Sequence, residues 1–269
     1  MSKILRILQI SDLHLLQRVK AKFLGLDVTE SFKAVMGFVG NCEILPAPSL
    51  VILSGDLAHD GSRAAYLRID EICQKFTCPV LAIPGNHDRP EVMYRALSEA
   101  GIAVKTRDFT LGSWRILLLN SYWPGEVAGR LDAGELAFLR KALQQSRSRQ
   151  QPTMIFLHHQ VLPLKCEWLD RIGLSNSSEF LTILKEYPQV KIVASGHVHQ
   201  ERSISKDGIV FLTVPSTSCQ FAVNSPYFRL DAKMPGYRYL DLDADRWHSG
   251  VQRIPFDEKF LPDLSSTGY

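Results

Sequence analysis

Histidine, aspartate and asparagine side chains collect at one kind of position in this chain, directly after short apolar runs. Each run is rich in Val, Ile and Leu, and the polar residues begin within a few positions of its end. The residues concerned are Asp12 and His14 after "ILQIS", Asp56 after "VILSG", Asn86, His87 and Asp88 after "LAIPG", His158 and His159 after "TMIFL", and His197 and His199 after "KIVASG". Open α/β sheets bind ligands at the carboxyl ends of their strands, so we expect these side chains to converge on one site.

The chemistry that these residue types favour is metal binding. Imidazole nitrogens combined with carboxylate and amide oxygens, and no cysteine, form a ligand set suited to iron, manganese or zinc. The set offers about seven ligands, which is more than one tetrahedral ion uses. We therefore expect two ions, with Asp56 as a carboxylate that could bridge them at the roughly 3.5 to 4 Å separation used in displacement at phosphorus. Gly55, Gly85 and Gly196 would permit sharp turns and close backbone approach at the strand ends.

Not every histidine fits this interpretation. His158 and His159 are adjacent, and neighbouring strand residues point to opposite faces, so only one of them is expected to be a ligand. His59 lies close to Asp56 in the sequence and is interpreted as a residue that supports a ligand or lies at the surface. His248 has no partner near it in the sequence, and we expect it to be exposed.

Six apolar runs predict buried strands, and five segments with helical spacing lie among them. The predicted strands are "ILRILQIS", "LVILSG", "PVLAIPG", "RILLLN", "TMIFLHH" and "VKIVASG", and the predicted helices are "TESFKAVMGFVGNC", "SRAAYLRIDEICQKF", "RPEVMYRALSEAG", "DAGELAFLRKALQQS" and "NSSEFLTILKEY". Helix caps are predicted at Thr29, Ser62 and Asp132, with Glu135 placed for a capping box after Asp132. This alternation predicts an α/β body with parallel pairing and helices on the faces of the sheet.

The last third of the chain changes character. The stretch "RSISKDGIVFLTVPS" contains an Asp207-Gly208 hairpin turn, and "YRYLDLDADRWHSGVQRI" predicts a second antiparallel pair. The fold class is therefore a mixed α/β (α+β) architecture, parallel early and antiparallel late. We expect a single domain over residues 1–255 and a loose tail over 256–269.

Composition and charge narrow the function classes. The chain has 269 residues, of which 45% are hydrophobic and 22% charged, as in an enzyme-sized globular protein. The formal net charge is +3, but the basic residues are scattered among acids, so no nucleic acid partner is expected. Five irregularly spaced cysteines predict reduced thiols and a cytoplasmic protein. No signal peptide and no run of membrane-span length are visible, so we expect no membrane partner.

Five motifs carry a family resemblance. In order, "DLH", "GD", "GNHD", "HH" and "GHVH" span residues 12–199 and resemble the calcineurin-like metallophosphoesterases. Outside this pattern, "EWLDRIGLSN", "PSTSCQF" and "PGYRYL" are similar to the bacterial class III cyclic nucleotide phosphodiesterases, so the likeness covers nearly the whole chain. The resemblance implies a metallo-dependent phosphatase fold, a four-layer α/β/β/α sandwich of two mixed β-sheets flanked by helices.

The resemblance also implies a set of ligands for each of two metal ions. The ions are expected to be iron and manganese, and zinc would also be compatible with these ligands. The implied ligands are Asp12, His14, Asp56 and His199 for the first ion, and Asp56, Asn86, His158 and His197 for the second. Asp56 would be the bridge, and His158 rather than His159 would be the ligand. Asn86, His87 and His199 would also contact the substrate.

The implied reaction is hydrolysis of 3′,5′-cyclic AMP to 5′-AMP. Two cations acidify a water molecule between them, so hydroxide could attack phosphorus in line while the cations neutralise the phosphate oxygens. His87 resembles the family's histidine near the leaving oxygen and would act as general acid. Asp88 would orient His87 or a neighbouring ligand.

Other functions stay open at the level of sequence. Specificity resides in loops, so the same metals could serve glycerophosphodiesters, 2′,3′-cyclic nucleotides or nucleic-acid ends, although the lack of a basic groove counts against a nuclease. A non-catalytic cyclic nucleotide binding protein would be expected to have lost ligands, and none is missing. Trp168, Phe221 and Tyr237 could stack on a purine, but burial is the commoner explanation. The expected substrate is a small molecule, and the sequence leaves open whether the chain is a homo-oligomer.

Overall fold

The structure, a computed structural model, describes residues 4–40 and 46–268. The strands are β1 Leu5–Ile10, β2 Lys22–Phe23, β3 Leu26–Asp27, β4 Leu50–Ser54, β5 Val80–Ile83, β6 Asp108–Leu111, β7 Trp114–Leu118, β8 Thr153–Leu157, β9 Val190–Ser195, β10 Arg202–Lys206, β11 Ile209–Thr213, β12 Gln220–Phe221, β13 Leu230–Asp231, β14 Gly236–Asp243 and β15 Arg246–Arg253. The helices are α1 Val28–Gly40, α2 Arg63–Cys73, α3 Pro90–Glu99, α4 Ala133–Ser148, α5 Glu167–Asp170 and α6 Ser177–Lys185, followed by a 3₁₀ turn, Glu258–Phe260.

Two mixed sheets form the centre of the molecule. The first has the order β15-β14-β1-β4-β5, in which β1, β4 and β5 are parallel and the β14–β15 hairpin is antiparallel. The second has the order β10-β11-β9-β8-β7-β6, with β7, β8, β9 and β11 parallel and an antiparallel strand at each edge. The predicted change from parallel to antiparallel pairing is confirmed in both late hairpins.

Three apolar layers show how the sheets and helices stack. In β1, Ile7 packs into the cluster between the two sheets, whereas Leu8 packs into the cluster with α1, α2 and α3. In β8, Phe156 packs between the sheets and Ile155 packs against α4 and α6. Because alternate strand residues point to opposite faces, a strand buried on both faces has an unbroken apolar sequence. The expected four-layer α/β/β/α sandwich is confirmed.

One predicted helix cap is wrong. Helix α1 begins at Val28, so Thr29 lies inside its first turn. Asp27 takes the capping role, since its Oδ1 accepts hydrogen bonds from the backbone N–H groups of Thr29 and Glu30, both at 3.1 Å. A carboxylate and a threonine two residues apart are both good caps, and the sequence pattern did not separate them. The last two residues of that predicted helix, 41 and 42, lie outside the described residues.

The other two caps are confirmed. Ser62 Oγ accepts from the backbone N–H of Ala65, and Asp132 Oδ1 accepts from that of Glu135 at 2.8 Å. The second half of the predicted capping box is absent from the described contacts, because the carboxylate of Glu135 instead accepts from Arg107 and from the backbone N–H of Asn120.

The end of the chain lies against the short β2–β3 hairpin. Phe260 is only 8% exposed and belongs to the cluster that packs on the first sheet. The backbone N–H of Asp263 donates to the carbonyl of Leu24 at 2.7 Å. No helix among the described residues has the length and hydropathy needed to cross a membrane.

Candidate metal centre

Five strands, three from the first sheet and two from the second, end beside the candidate site. Loops after β1, β4, β5, β8 and β9 carry the side chains that the sequence singles out. The two sheets are packed face to face, so the loops of one reach those of the other. The residues that the structure brings together there are Asp12, His14, Asp56, Asn86, His158, His197 and His199.

Asp12, His14 and His199 form what we call the inner cluster. One ligand atom from each of the three lies within 4.8 Å of the others. The Nε2 atoms of His14 and His199 are 3.1 Å apart, and His199 Nε2 lies 3.5 Å from Asp12 Oδ1. All three side chains are fully buried or nearly so.

Asn86, His158 and His197 form the outer cluster. The Oδ1 atom of Asn86 lies 3.3 Å from His158 Nε2, and the rings of His158 and His197 meet edge to face at 5.1 Å. The two histidines are buried, but Asn86 is only half-buried. This side of the site therefore opens toward solvent.

Asp56 lies between the two clusters. Its Oδ2 atom is 3.8 Å from His14 Nε2 in the inner cluster and 3.3 Å from His158 Nε2 in the outer one. One carboxylate thus reaches ligand nitrogens of both clusters, which is the placement required of a bridging ligand.

The backbone at the site is held in an uncommon conformation. Asp12, His14, Asp56, His197 and His199 all have positive φ, between 48° and 68°. Residues with a Cβ rarely adopt this region, and each such position costs on the order of 1 kcal/mol or more, so the surrounding fold must stabilise it. Backbone strain of this kind is concentrated at functional sites.

Two glycines show why the loops approach so closely. A Cβ built on Gly85 would lie 2.2 Å from Asp56 Oδ1, and one built on Gly196 would lie 2.1 Å from Ser11 Oγ and 3.0 Å from Asp12 Oδ2. Any side chain at either position would push the carboxylates away. The predicted need for close backbone approach at these strand ends is confirmed.

Hydrogen bonds fix the orientation of two of the ligand histidines. His158 Nδ1 lies 2.8 Å from the carbonyl of Ser54, and His199 Nδ1 lies 2.8 Å from the carbonyl of Cys219. A carbonyl only accepts, so both Nδ1 atoms carry the proton and both Nε2 atoms keep a lone pair in the neutral ring. In each case Nε2 is the atom that faces Asp12, Asp56 or Asn86.

Burial sets the charge state of the histidines. It lowers the pKa of His199 to about 3 and the pKa values of His14 and His197 well below the usual range. Burial alone would also lower the pKa of His158, but the Asp56 carboxylate beside it raises that pKa to about 9. Three of the four histidines are therefore neutral at pH 7, which is the form that binds a metal ion.

The buried ring of His197 is a second observation that supports metal binding at this site. Both ring nitrogens of His197 are buried, and neither has a hydrogen-bond partner among the described residues. An imidazole without a partner in a protein interior is costly, and a bound cation would remove that cost. Together with the oxygen and nitrogen donors around it, this side chain marks a site that could hold metal ions.

His87 lies at the open side of the site. It is half-buried, and its backbone N–H donates to Asp56 Oδ1 at 2.9 Å. Its ring centroid is 4.9 Å from that of His14 and 4.7 Å from that of His59. The ring is thus next to the candidate ligands and within reach of a molecule that enters from solvent.

Asp88 supports the backbone around the site. Its buried carboxylate accepts hydrogen bonds from the backbone N–H groups of Leu57, Ala58 and Gly85, at 2.9 to 3.1 Å, and from the hydroxyl of Tyr66 at 3.0 Å. Leu57 and Ala58 follow directly after Asp56 in the loop that leaves β4. Asp88 therefore ties the loop that carries Asp56 to the loop that carries Asn86.

The structure separates the two adjacent histidines. His158 faces Asp56, whereas both nitrogens of His159 have other partners, Ser121 Oγ at 2.8 Å and the carbonyl of Val127 at 3.1 Å. His159 is fully buried, and its contacts are those of a structural residue. His248 is exposed, as predicted.

Sequence reasoning assigned no role to the loop that holds Asp12. The hydroxyls of Ser216 and Ser218 both donate to the backbone carbonyl of Asp12, at 2.6 and 3.0 Å. Both serines belong to "PSTSCQF", a stretch noted for its family resemblance. A run of small hydroxyl residues directly after a buried strand was the signal available for this role.

Two aromatic rings also support the inner cluster and were not foreseen in that role. Phe221 stacks on His199 with centroids 4.1 Å apart and an interplanar angle of 12°. Phe23 stacks on His14 at 4.6 Å and 18°. These faces hold the imidazole planes in place.

Burial accounts for two of the aromatic residues considered for purine stacking. Phe221 and Tyr237 are each 1% exposed. Trp168 is half-buried and meets the rings of Phe221 and Phe228 edge to face at 5.0 and 5.3 Å.

Comparison with known proteins gives a consistent result. The sequence model of the calcineurin-like phosphoesterase family matches residues 5–201. The chain is 39% identical over 265 residues to the 3′,5′-cyclic adenosine monophosphate phosphodiesterase CpdA of Escherichia coli, with 98% of this chain and 94% of that protein covered. It is 35% identical over 260 residues to a 3′,5′-cyclic-nucleotide phosphodiesterase of Nostoc sp., with 96% of each covered. A solved dimetal phosphatase from Danio rerio shares the fold, with a TM-score of 0.62, 15% identity and coverage of 93% of this chain and 99% of that one.

Proposed function

Because this chain belongs to the calcineurin-like phosphoesterase family, we propose that it is a dinuclear metallophosphodiesterase that hydrolyses 3′,5′-cyclic AMP to 5′-AMP. The observation that carries the chemistry is the position of Asp56, whose carboxylate reaches a ligand nitrogen of both the inner and the outer cluster. The choice of substrate is supported by relatives named as cyclic AMP phosphodiesterases that align over nearly the whole chain.

The two clusters would hold one cation each and share Asp56. We propose iron and manganese, with zinc also compatible, because imidazole, carboxylate and amide donors without thiolate suit all three ions. When bound, such cations acidify a water molecule and neutralise charge that builds up on the phosphate oxygens. The ligands proposed for the inner ion are Asp12, His14, Asp56 and His199, and those for the outer ion are Asp56, Asn86, His158 and His197.

The remaining chemistry belongs to His87. In hydrolysis, a water oxygen bonds to phosphorus, the bond from phosphorus to the ribose 3′ oxygen breaks, and that oxygen needs a proton. His87 is half-buried beside Asp56, and its backbone is anchored by the 2.9 Å hydrogen bond to that carboxylate. We assign to its imidazole the donation of this proton, and to Asn86 and His199 contact with the phosphate.

Asp88 is a positioning residue in this proposal. Its carboxylate holds backbone on both sides of the site and so supports the second of the two roles predicted for it, the orientation of neighbouring ligands. We further propose a small-molecule substrate and a cytoplasmic location. The described cysteines, Cys73, Cys78, Cys166 and Cys219, are all free thiols, which is consistent with a reducing compartment.

A substrate panel tests this proposal. Purified full-length protein loaded with Mn²⁺ would be offered 3′,5′-cyclic AMP, 2′,3′-cyclic AMP, glycerophosphocholine and bis(p-nitrophenyl) phosphate, and the products separated by chromatography. We expect 5′-AMP from 3′,5′-cyclic AMP, and hydrolysis of every substrate lowered by about 10³-fold or more in an Asp56→Ala preparation. Turnover of glycerophosphocholine or 2′,3′-cyclic AMP without turnover of 3′,5′-cyclic AMP would overturn the substrate assignment. Failure to hydrolyse any diester would overturn the reaction class.

A further inference from the structure

His59 contacts the inner cluster from outside it. Its Nδ1 atom lies 3.2 Å from Nδ1 of His14, and its ring is half-buried. His14 uses its other nitrogen, Nε2, to face His199 and Asp56. The two nitrogens of His14 thus point to different neighbours.

The ligand histidines differ in what holds their Nδ1 atoms. For His158 and His199 the partner is a backbone carbonyl, that of Ser54 and of Cys219 respectively. For His14 the partner is a side chain, that of His59. A carbonyl is always an acceptor, whereas a neutral imidazole nitrogen accepts only in one of its two tautomers.

This contact constrains the position of two protons once a cation is bound at His14 Nε2. A hydrogen bond between two ring nitrogens needs one N–H and one lone pair. If His14 is to present a lone pair at Nε2, its proton must reside on Nδ1, and His59 must then accept at Nδ1 and carry its own proton on Nε2. The opposite arrangement would place a proton at His14 Nε2, where it could donate to His199 Nε2 at 3.1 Å in the metal-free protein, and this proton would prevent cation binding.

We propose that His59 is a positioning residue for the inner metal ion: it accepts the Nδ1–H of His14 and so keeps the Nε2 lone pair directed at the inner cluster. This inference rests on the proposed metal centre. The arrangement is a ligand histidine whose tautomer is set by its outer partner, which in metal sites is usually a carboxylate, carbonyl or water.

The ring of His59 is itself held in place. It packs against Phe23 at 4.5 Å and stacks on His87 at 4.7 Å with an interplanar angle of 23°. Phe23 also stacks on His14, so one aromatic ring contacts both partners of the hydrogen bond. Packing against these two rings therefore helps to keep the Nδ1 atom of His59 facing His14.

The tautomer of His14 can be measured directly. Two-bond ¹H–¹⁵N spectra of histidine-labelled full-length protein would be recorded without metal and after addition of Zn²⁺, for the wild type, His59→Ala, His59→Gln and the exposed control His248→Ala. After addition of Zn²⁺ we expect the Nδ1–H tautomer of His14 in the wild type, the control and His59→Gln, whose amide oxygen can accept. We expect a mixture in His59→Ala. An Nε2–H tautomer in the wild type, or an unchanged tautomer in His59→Ala, would overturn the proposal.

Mn²⁺ affinity gives a second readout that does not depend on turnover. Removal of such an outer partner typically weakens metal binding about 10- to 100-fold, so we expect a loss of that size for one of the two ions in His59→Ala and near wild-type affinity in His59→Gln. Equal affinities in the wild type and His59→Ala would contradict the role of His59. A wild type that binds no Mn²⁺ would instead contradict the proposed function.

Discussion

The inner and outer clusters use similar residues but are supported very differently. In the inner cluster, His199 is fixed by a carbonyl and by the face of Phe221, and His14 by His59 and the face of Phe23. In the outer cluster, His197 has no hydrogen-bond partner for either nitrogen among the described residues.

The contrast extends to the other members of the outer cluster. Asn86 is half-buried, and the Asp56 carboxylate raises the pKa of His158 to about 9, so that this ring carries a proton at pH 7. The inner histidines are thus held in place by the protein, whereas the outer histidines are completed only when a cation replaces the proton of His158 and satisfies the buried ring of His197. We therefore expect the inner ion to bind with a smaller reorganisation cost than the outer ion.

Removal of the residue shared by the clusters should have the largest effect. Asp56→Ala removes the carboxylate that lies between the two clusters and contacts His14 in one and His158 in the other, so we expect turnover to fall by about 10³-fold or more and both ions to bind weakly. Asp207→Asn, in an exposed hairpin turn, is the matched control and should retain activity. Metal content and steady-state rates of the two variants check this, and full turnover by Asp56→Ala would contradict the bridging role.

A smaller and substrate-dependent effect is expected at His87, on the open side of the site. His87→Ala should lower turnover of 3′,5′-cyclic AMP by about 10²-fold, because the ribose 3′ oxygen leaves poorly without a proton. Turnover of bis(p-nitrophenyl) phosphate should fall much less, since p-nitrophenolate needs no proton. Equal losses on the two substrates would argue against proton donation by His87.

Because the protein supports His199 more than His197, we expect alanine substitution at the two positions to lower the free energy of unfolding of the metal-free protein unequally. His199→Ala removes a ring that stacks on Phe221 and leaves the Cys219 carbonyl without its donor, so we expect a loss of about 2 kcal/mol or more in the free energy of unfolding. His197→Ala should cost clearly less, because it also removes a buried ring with two unpartnered nitrogens. Both residues have positive φ, so the backbone cost of alanine is shared. Urea unfolding of the two variants after chelation of metal measures both free energies of unfolding. Equal losses in the two variants would contradict the distinction between the clusters.

The smallest expected effect is the number of protons released when a cation binds. In metal-free protein the pKa of His158 is raised to about 9, so this ring is protonated at pH 7 and must lose its proton when a cation binds its Nε2. The neutral His14 and His199 have none to lose there, whereas Asp12, whose pKa burial raises to about 7, adds a fraction. At pH 7 we expect release of about one proton from His158 and about half a proton from Asp12, falling as the pH rises through 9. Calorimetry in buffers of different ionisation enthalpy measures this release, and its absence at pH 7 would contradict the charge assigned to His158.

The elements that carry the site could be predicted because their sequence is dominated by burial. Strands such as β4 and β8 are buried on both faces and therefore read as continuous apolar runs. Strand β6 was missed because it is a short edge strand with alternating exposure, and β2 and β3 because two residues give no periodic signal.

The site shows the same division between what is local in the sequence and what is not. Side chains that follow a strand end, such as Asp56 and His158, could be assigned from their position alone. The support they receive comes from distant segments: Phe23 reaches His14 from a short hairpin, and Ser216 reaches Asp12 across 204 residues. No spacing rule predicts such contacts, because they depend on how the two sheets pack.

The most direct test of the central claim is to locate metal ions by anomalous X-ray scattering in crystals of the full-length protein grown with Mn²⁺. We expect two ions per chain, one against Asp12, His14 and His199 and one against Asn86, His158 and His197, with Asp56 in contact with both. A single ion, ions bound elsewhere, or no ion at saturating Mn²⁺ would contradict it.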